Sequence, residues 1–256
     1  MITADSYIKY LFDEVHLCKP LLGQSWFFYN DYLSDAGLFS PLKKHHYLSW
    51  LRKGLEIIDK QLVNSSHENP ILLDIGCGCG IFSLYAALNG YQVIACDLDP
   101  QSLLVFKCRS ELACQYFNVD KFSVRFECCD ARELNLPDSK IHLAISYFAF
   151  LMIPNPMPLL LSIVNSSRRF VIFTGNSSSF LFRFVRARSA RRFNGELGLR
   201  ELLKQLRNNS SAKVNISRLF ITPFDVFLGP FAFILDLLPF SFLTSVSLDI
   251  QSTCEF

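Results

Sequence analysis

Apolar residues along this chain follow two alternating rhythms, and each change of rhythm marks an element. Near the start, Ile8, Leu11, Phe12 and Val15 share one face of a predicted amphipathic helix. Helical spacing returns over residues 41–62 through Leu48, Leu51, Leu55, Ile58 and Leu62. Between these helices lie a turn-like patch, Gly23-Gln24-Ser25, and an aromatic cluster of Trp26, Phe27, Phe28, Tyr29 and Tyr32. The polar run NSSHENP, residues 64–70, reads as a loop. Short continuous apolar runs then alternate with helix-like stretches. Strands are predicted at 71–74, 93–97, 124–129, 141–146, 168–174, 214–220 and 245–253. Helices are predicted between them at 81–88, 100–114, 154–165, 196–206 and, broken by Pro, 231–238. Runs apolar from end to end suit parallel strands covered on both faces.

The densest information lies in residues 71–100. The run Ile71-Leu72-Leu73 ends in Asp74, and Gly76, Gly78 and Gly80 follow at alternate positions. A helical segment stops at Asn89-Gly90, and a second apolar run, Val93-Ile94-Ala95-Cys96, ends in Asp97. Strand, glycine turn, helix, strand and acid make a βαβ nucleotide-binding half. Glycines permit positive φ and remove Cβ atoms, so a ligand can lie against the backbone. The following helix begins with unpaired N–H groups that face it. Asp97 stands about twenty residues past the glycines, where a carboxylate can accept from both ribose hydroxyls. A dinucleotide turn requires its third Gly at position 81, which is Ile, and no Gly-Lys-Ser/Thr follows to make a P-loop.

The run Asp74-x-Gly76-x-Gly78-x-Gly80 resembles motif I of the class I S-adenosylmethionine (SAM)-dependent methyltransferases. The resemblance implies an α/β fold: a Rossmann-like, doubly wound sheet of seven strands, mostly parallel with an antiparallel last strand, plus N-terminal helices. It implies a helical cap over residues 1–63 and a SAM-binding domain over 64–256, with a basic lid inserted at 176–195. In such a domain motif I holds the methionine end of the cofactor. The resemblance therefore places Asp74, Gly76, Cys77, Gly78 and Gly80 there, with Asp97 at the ribose hydroxyls and Leu98 among the cofactor contacts. Asp130, after the third strand, matches the residue that bonds the adenine amino group, and it reads equally as an Asp opening the turn before Asn135-Leu136-Pro137. Ala131 and Ser146 complete the expected cofactor contacts. The resemblance runs from Asp74 onward and is specific only through the third strand.

The acceptor side is less marked. Tyr147, at the carboxyl edge of the fourth strand, reads either as facing the sulfonium or substrate, or as core. Relatives that methylate exocyclic amines of bases or side-chain amides carry N/D-P-P-Y/F there; this chain has Ser146-Tyr147-Phe148. Trp26 and Tyr29 are candidate substrate contacts, with simple packing as the alternative. His45 and His46 read as solvated, a base being the sharper alternative, and His142 reads as structural. Within the lid, Arg183, Arg186, Arg188, Arg191 and Arg192 interleave with aromatics, which suits either a clasp for an anion or a solvated helix face.

Composition narrows the rest. Half of the 256 residues are hydrophobic and Phe alone counts 25, which leans toward a lipophilic acceptor. A net charge of +2 names no partner. The nine cysteines show no metal-ligand spacing, so no metal is expected and they read as reduced small hydrophobes of a cytoplasmic protein. The first residues, MITADSYIKYLFDEVHL, lack the apolar core of a signal peptide. Pro and Asp interrupt the apolar stretch 220–246, so no transmembrane segment is expected, while peripheral contact with a membrane stays open. The expected activity is methyl transfer from SAM to a small-molecule acceptor, at oxygen or carbon. An RNA methyltransferase using the arginine lid and a non-catalytic SAM-binding accessory protein are the alternatives.

Overall fold

The computed structural model describes residues 1–18, 40–64, 69–120, 122–137, 141–147, 149–175, 199–210, 212–220 and 245–251. The chain divides into two compact units, Met1–Asp130 and Ala131–Phe256.

In the first unit, helix α1 (Ala4–Cys18) begins after Thr3, whose hydroxyl accepts the Ser6 N–H at 3.2 Å. Its buried face differs from the simple apolar stripe. Tyr7, Ile8, Tyr10, Leu11 and Glu14 are buried, while Phe12 is half-buried. Two tyrosines and an acid thus join Ile8 and Leu11 on the buried side, because each polar tip finds a partner inside. Helix α2 (Ser40–Asn64) buries Leu51, Leu55, Ile57 and Ile58. It lies so close to the next helix that a Cβ on Gly54 would meet the Phe82 ring at 2.2 Å. Both helices belong to the same unit as the glycine turn.

Three parallel strands follow: β1 (Ile71–Ile75), β2 (Gln92–Asp97) and β3 (Val124–Cys128). β1 pairs with β2, with Asp74 opposite Ala95; β2 pairs with β3, with Asp97 opposite Cys128. The crossovers are α3 (Ile81–Leu88) and α4 (Pro100–Phe117). Asp99 caps α4 by accepting from the Gln101 and Ser102 N–H groups, and Pro100 occupies the first turn. The helix runs one turn beyond its predicted end and stops at Asn118 in the left-handed conformation. β1 and β2 are almost wholly buried, as their unbroken apolar runs require.

The second unit holds β4 (Leu143–Tyr147), α5 (Met157–Ser166), β5 (Arg169–Gly175), α6 (Leu199–Asn209), β6 (Lys213–Phe220) and β7 (Ser245–Gln251). β4 starts two residues later than its apolar run suggests, since Ile141 makes only an isolated bridge to Ser167. β4 and β5 are parallel, while β7 runs antiparallel to both β5 and β6. A two-pronged ion pair fixes the β5–β7 register: Arg169 Nε and Nη2 donate to the Asp249 carboxylate at 2.8 and 2.9 Å. The core combines Leu143, Ile145, Phe170 and Ile172 with Leu160, Ile163, Leu202, Leu206, Leu248 and Ile250.

The seven strands, mostly parallel and with the last antiparallel, give the Rossmann-like mixed sheet that the resemblance implies. The predicted basic lid at 176–195, the helix at 231–238 and the aromatic cluster with Trp26 and Tyr29 lie outside the described residues. Among the described residues, no helix is long and apolar enough to cross a membrane.

Candidate functional site

The glycine turn joins β1 to α3 and is held from several sides. Gly76, Gly78 and Gly80 have φ of 67°, 52° and 72°, the left-handed region that disfavours side chains. The N–H groups of Gly76 and Cys77 both donate to the Cys96 carbonyl, at 2.8 and 3.0 Å, which joins the turn to the end of β2. The glycines have different reasons to be glycine. A Cβ on Gly80 would strike the Phe106 ring at 2.3 Å, so that position serves close packing against α4. A Cβ on Gly78 would meet nothing within 4 Å, so the turn there faces open space.

Three carboxylates stand at or just beyond the carboxyl ends of consecutive parallel strands. Asp74, on β1, is buried and accepts the Ser83 hydroxyl at 2.7 Å. Burial raises its pKa from the ordinary 3.8 to about 7; the Ser83 hydrogen bond opposes this rise and Asp97 adds to it. Ser83 is a site residue that sequence reading passes over, since a Ser in an apolar helix carries no motif. Asp97, at the end of β2, is half-buried and two-handed. Its Oδ2 accepts the Gly78 N–H at 2.7 Å, and its Oδ1 accepts the Asp99 N–H at 2.9 Å. Each carboxylate oxygen has a second lone-pair direction, leaving acceptor capacity for a ligand. Leu98 beside it is 71% exposed, an apolar side chain held in the open next to an acid. Asp130 is half-buried, two residues beyond the β3 partner of Asp97. Nearby, the sulfurs of Cys96 and Cys129 lie 3.7 Å apart.

The remaining expected residues take separate places. Cys77 is in the turn, and burial pushes its thiol well above the ordinary range. Ala131 opens a short 3-10 turn, Ala131–Glu133, in the second unit. Ser146 is fully buried in β4. Tyr147, half-buried, sets its ring 5.7 Å from that of Phe173. Among the described residues, no group of three His, Cys, Asp or Glu could hold a metal ion.

This arrangement fits a cofactor with a charged amino-acid end and a nucleoside end. The space before Gly78 is open, and at the first turn of α3 the Asp74 carboxylate accepts from both the Ser83 hydroxyl and its backbone N–H. An acid and an exposed apolar side chain stand where a ribose and a base would follow.

Residues 73–169 match the family model described as a methyltransferase domain. The fold is similar to that of magnesium protoporphyrin IX methyltransferase from Synechocystis PCC 6803. That structure has a TM-score of 0.59 and 13% identity, over 94% of this chain and 100% of that one. It is also similar to the plantazolicin methyltransferase BpumL, with a TM-score of 0.51 and 15% identity over 94% and 99%. The Asp74–Gly80 turn and the carboxylates Asp74, Asp97 and Asp130 all lie within this matched methyltransferase domain.

Proposed function

We propose that this protein transfers the methyl group of SAM to an oxygen or carbon of a small-molecule acceptor. The observation that carries the reading is the open, positive-φ turn at Gly78, pinned by the Asp97 carboxylate at the end of β2. When bound, SAM supplies a methyl already activated on a sulfonium. The demand on the protein is orientation and exclusion of water, with a base needed only where the acceptor must lose a proton.

In this reading Asp97 accepts from the ribose hydroxyls while holding the turn in shape. Leu98 covers one face of the adenine, and Asp130 accepts from its amino group. Asp74 acts mainly through Ser83, tying the end of β1 to the first turn of α3. Ala131, Ser146 and Tyr147 are proposed contacts on the strength of the sequence resemblance alone.

Two features support the acceptor class. Ser146-Tyr147-Phe148 stands where amine- and amide-methylating relatives carry N/D-P-P-Y/F. The similar folds include enzymes named for magnesium protoporphyrin IX and for plantazolicin, which supports a small-molecule or peptide-like acceptor. Native mass spectrometry of the purified protein tests the proposal, with bound SAM or its demethylated product S-adenosylhomocysteine (SAH) and any retained acceptor as the expected masses. A protein that carries neither, and gives no heat on titration with SAH, would refute it.

A further inference from the structure

The hydrogen bonds that hold the glycine turn come partly from a helix that precedes it by some sixty residues of chain. Arg109 of α4 is buried to 1% exposure. Its Nε and Nη2 donate to the two oxygens of Glu14 on α1, at 2.7 and 3.0 Å. Its Nη1 donates to the carbonyl of Cys79, inside the turn. The Tyr10 hydroxyl donates to Glu14 Oε1 at 3.0 Å and lies 3.3 Å from the Arg109 carbonyl oxygen. A second link from α1 reaches the next residue but one: the Tyr7 hydroxyl donates to the Ile81 carbonyl at 2.5 Å. Just before α1, the Ile2 backbone exchanges hydrogen bonds with the side chain of Asn89, at the far end of α3, at 2.8 and 3.1 Å.

The energetics argue for a role beyond stability. A buried ion pair between two helices is often no more stabilising than well-packed apolar side chains of similar volume. Here the guanidinium has a third task that no apolar residue can perform. It holds the oxygen of the Cys79–Gly80 peptide, while the N–H of the same peptide donates to the Cys77 carbonyl at 2.9 Å. Both polar ends of that peptide are therefore fixed. Its orientation sets the left-handed Gly80 and the direction of the first N–H groups of α3. Phe106, three residues before Arg109, wedges against Gly80 from the same helix. Without Glu14, the arginine would be an uncompensated buried charge and its fork would lose its anchor.

We infer that Glu14 of α1, acting through Arg109, and Tyr7 of the same helix are positioning residues for the cofactor turn, so that docking of the N-terminal helix sets SAM affinity. The inference rests on the turn being the SAM site. None of these side chains touches the cofactor in this account; each fixes a backbone carbonyl of the turn or of the first turn of α3.

The experiment is titration calorimetry with SAH, paired with thermal melting, on the full chain. The double variant Glu14→Leu/Arg109→Met replaces the pair by apolar groups. It is expected to melt within a few degrees of the wild type and to bind SAH about tenfold or more weakly, since the Cys79 carbonyl has lost its donor. Leu160→Ala, in the core of the second unit, serves as a destabilised control with unchanged SAH affinity. A folded double variant whose affinity stays within about twofold of wild type would make the pair merely structural and overturn the inference. Should the double variant not fold, Glu14→Gln and Tyr7→Phe decide. Each is expected to weaken SAH by about threefold or more, and affinity within twofold for both overturns the inference. Wild-type protein that binds no SAH would overturn the site assignment itself, and the inference with it.

Discussion

The end of β1 and the end of β4 are both carboxyl ends of buried parallel strands, yet they are built from different material. At β1 the chain turns on three glycines, and nearly every constraint is a hydrogen bond to backbone: Asp97 to Gly78, Cys96 to Gly76 and Cys77, Arg109 to Cys79. At β4 the chain ends in a buried Ser146 and a half-buried Tyr147 resting on Phe173. The first end prescribes a backbone shape, which suits one invariant ligand. The second ends in side chains and has no such backbone prescription.

Substitutions sharpen this contrast, and the largest expected effect is at Gly80. Gly80→Ala forces a Cβ into the Phe106 ring at a φ of 72°. Overpacking and the left-handed cost together predict a loss of about 3 kcal/mol, read by denaturant unfolding. Next is Asp97→Ala, which releases the Gly78 N–H and removes the proposed ribose acceptor. It is expected to weaken SAH by about 1.5–3 kcal/mol in calorimetry while the fold survives. Unchanged affinity would remove the ribose assignment. Gly78→Ala should cost only about 1 kcal/mol of stability, because its Cβ meets nothing, but SAH binding should be hit harder than folding. If its binding loss merely tracked its stability loss, the open space would not be the cofactor's.

Asp74 gives a smaller, pH-dependent effect. With its pKa raised to about 7, the folded apoprotein holds this proton more tightly than the unfolded chain does. Its stabilising contribution is complete below the unfolded value near 3.8 and is lost as pH rises through about 7. The Asp74→Asn apoprotein should therefore gain melting temperature relative to wild type at pH 8, with the gain shrinking toward pH 5. The smallest effect on the cofactor belongs to the other strand end. Tyr147→Phe is expected to leave SAH affinity within about twofold and to act on acceptor turnover, measured by product mass. A large loss of SAH binding in that variant would erase the distinction between the two ends.

Much of this was legible before any coordinates. Alternating glycines after Asp74 announce positive φ because few other residues adopt it, and continuous apolar runs announce strands covered on both faces. Those signals are local, so they survive in one dimension. Sequence reading also placed Asp97 and Asp130 at the ends of adjacent strands. It put Ile8 and Leu11 on the apolar face of α1, where both are buried, and did not single out Tyr7, Tyr10 and Glu14, which are buried with them. It gave no role to Ser83, Phe106 or Arg109. A lone Arg in a helix or a Ser on an apolar face carries no pattern, and its meaning lies in a partner far along the chain. Glu14 and Arg109 are separated by 95 positions and no spacing rule links them.

The sequence alone thus determined the ligand-facing backbone: which residues lack side chains, where the acids stand, and the order of strands and helices that delivers them. Tertiary structure alone decided what holds that backbone still. Local conformational preference is written in neighbouring residues, whereas the burial of a guanidinium between a distant carboxylate and a turn carbonyl exists only once the chain has folded around it.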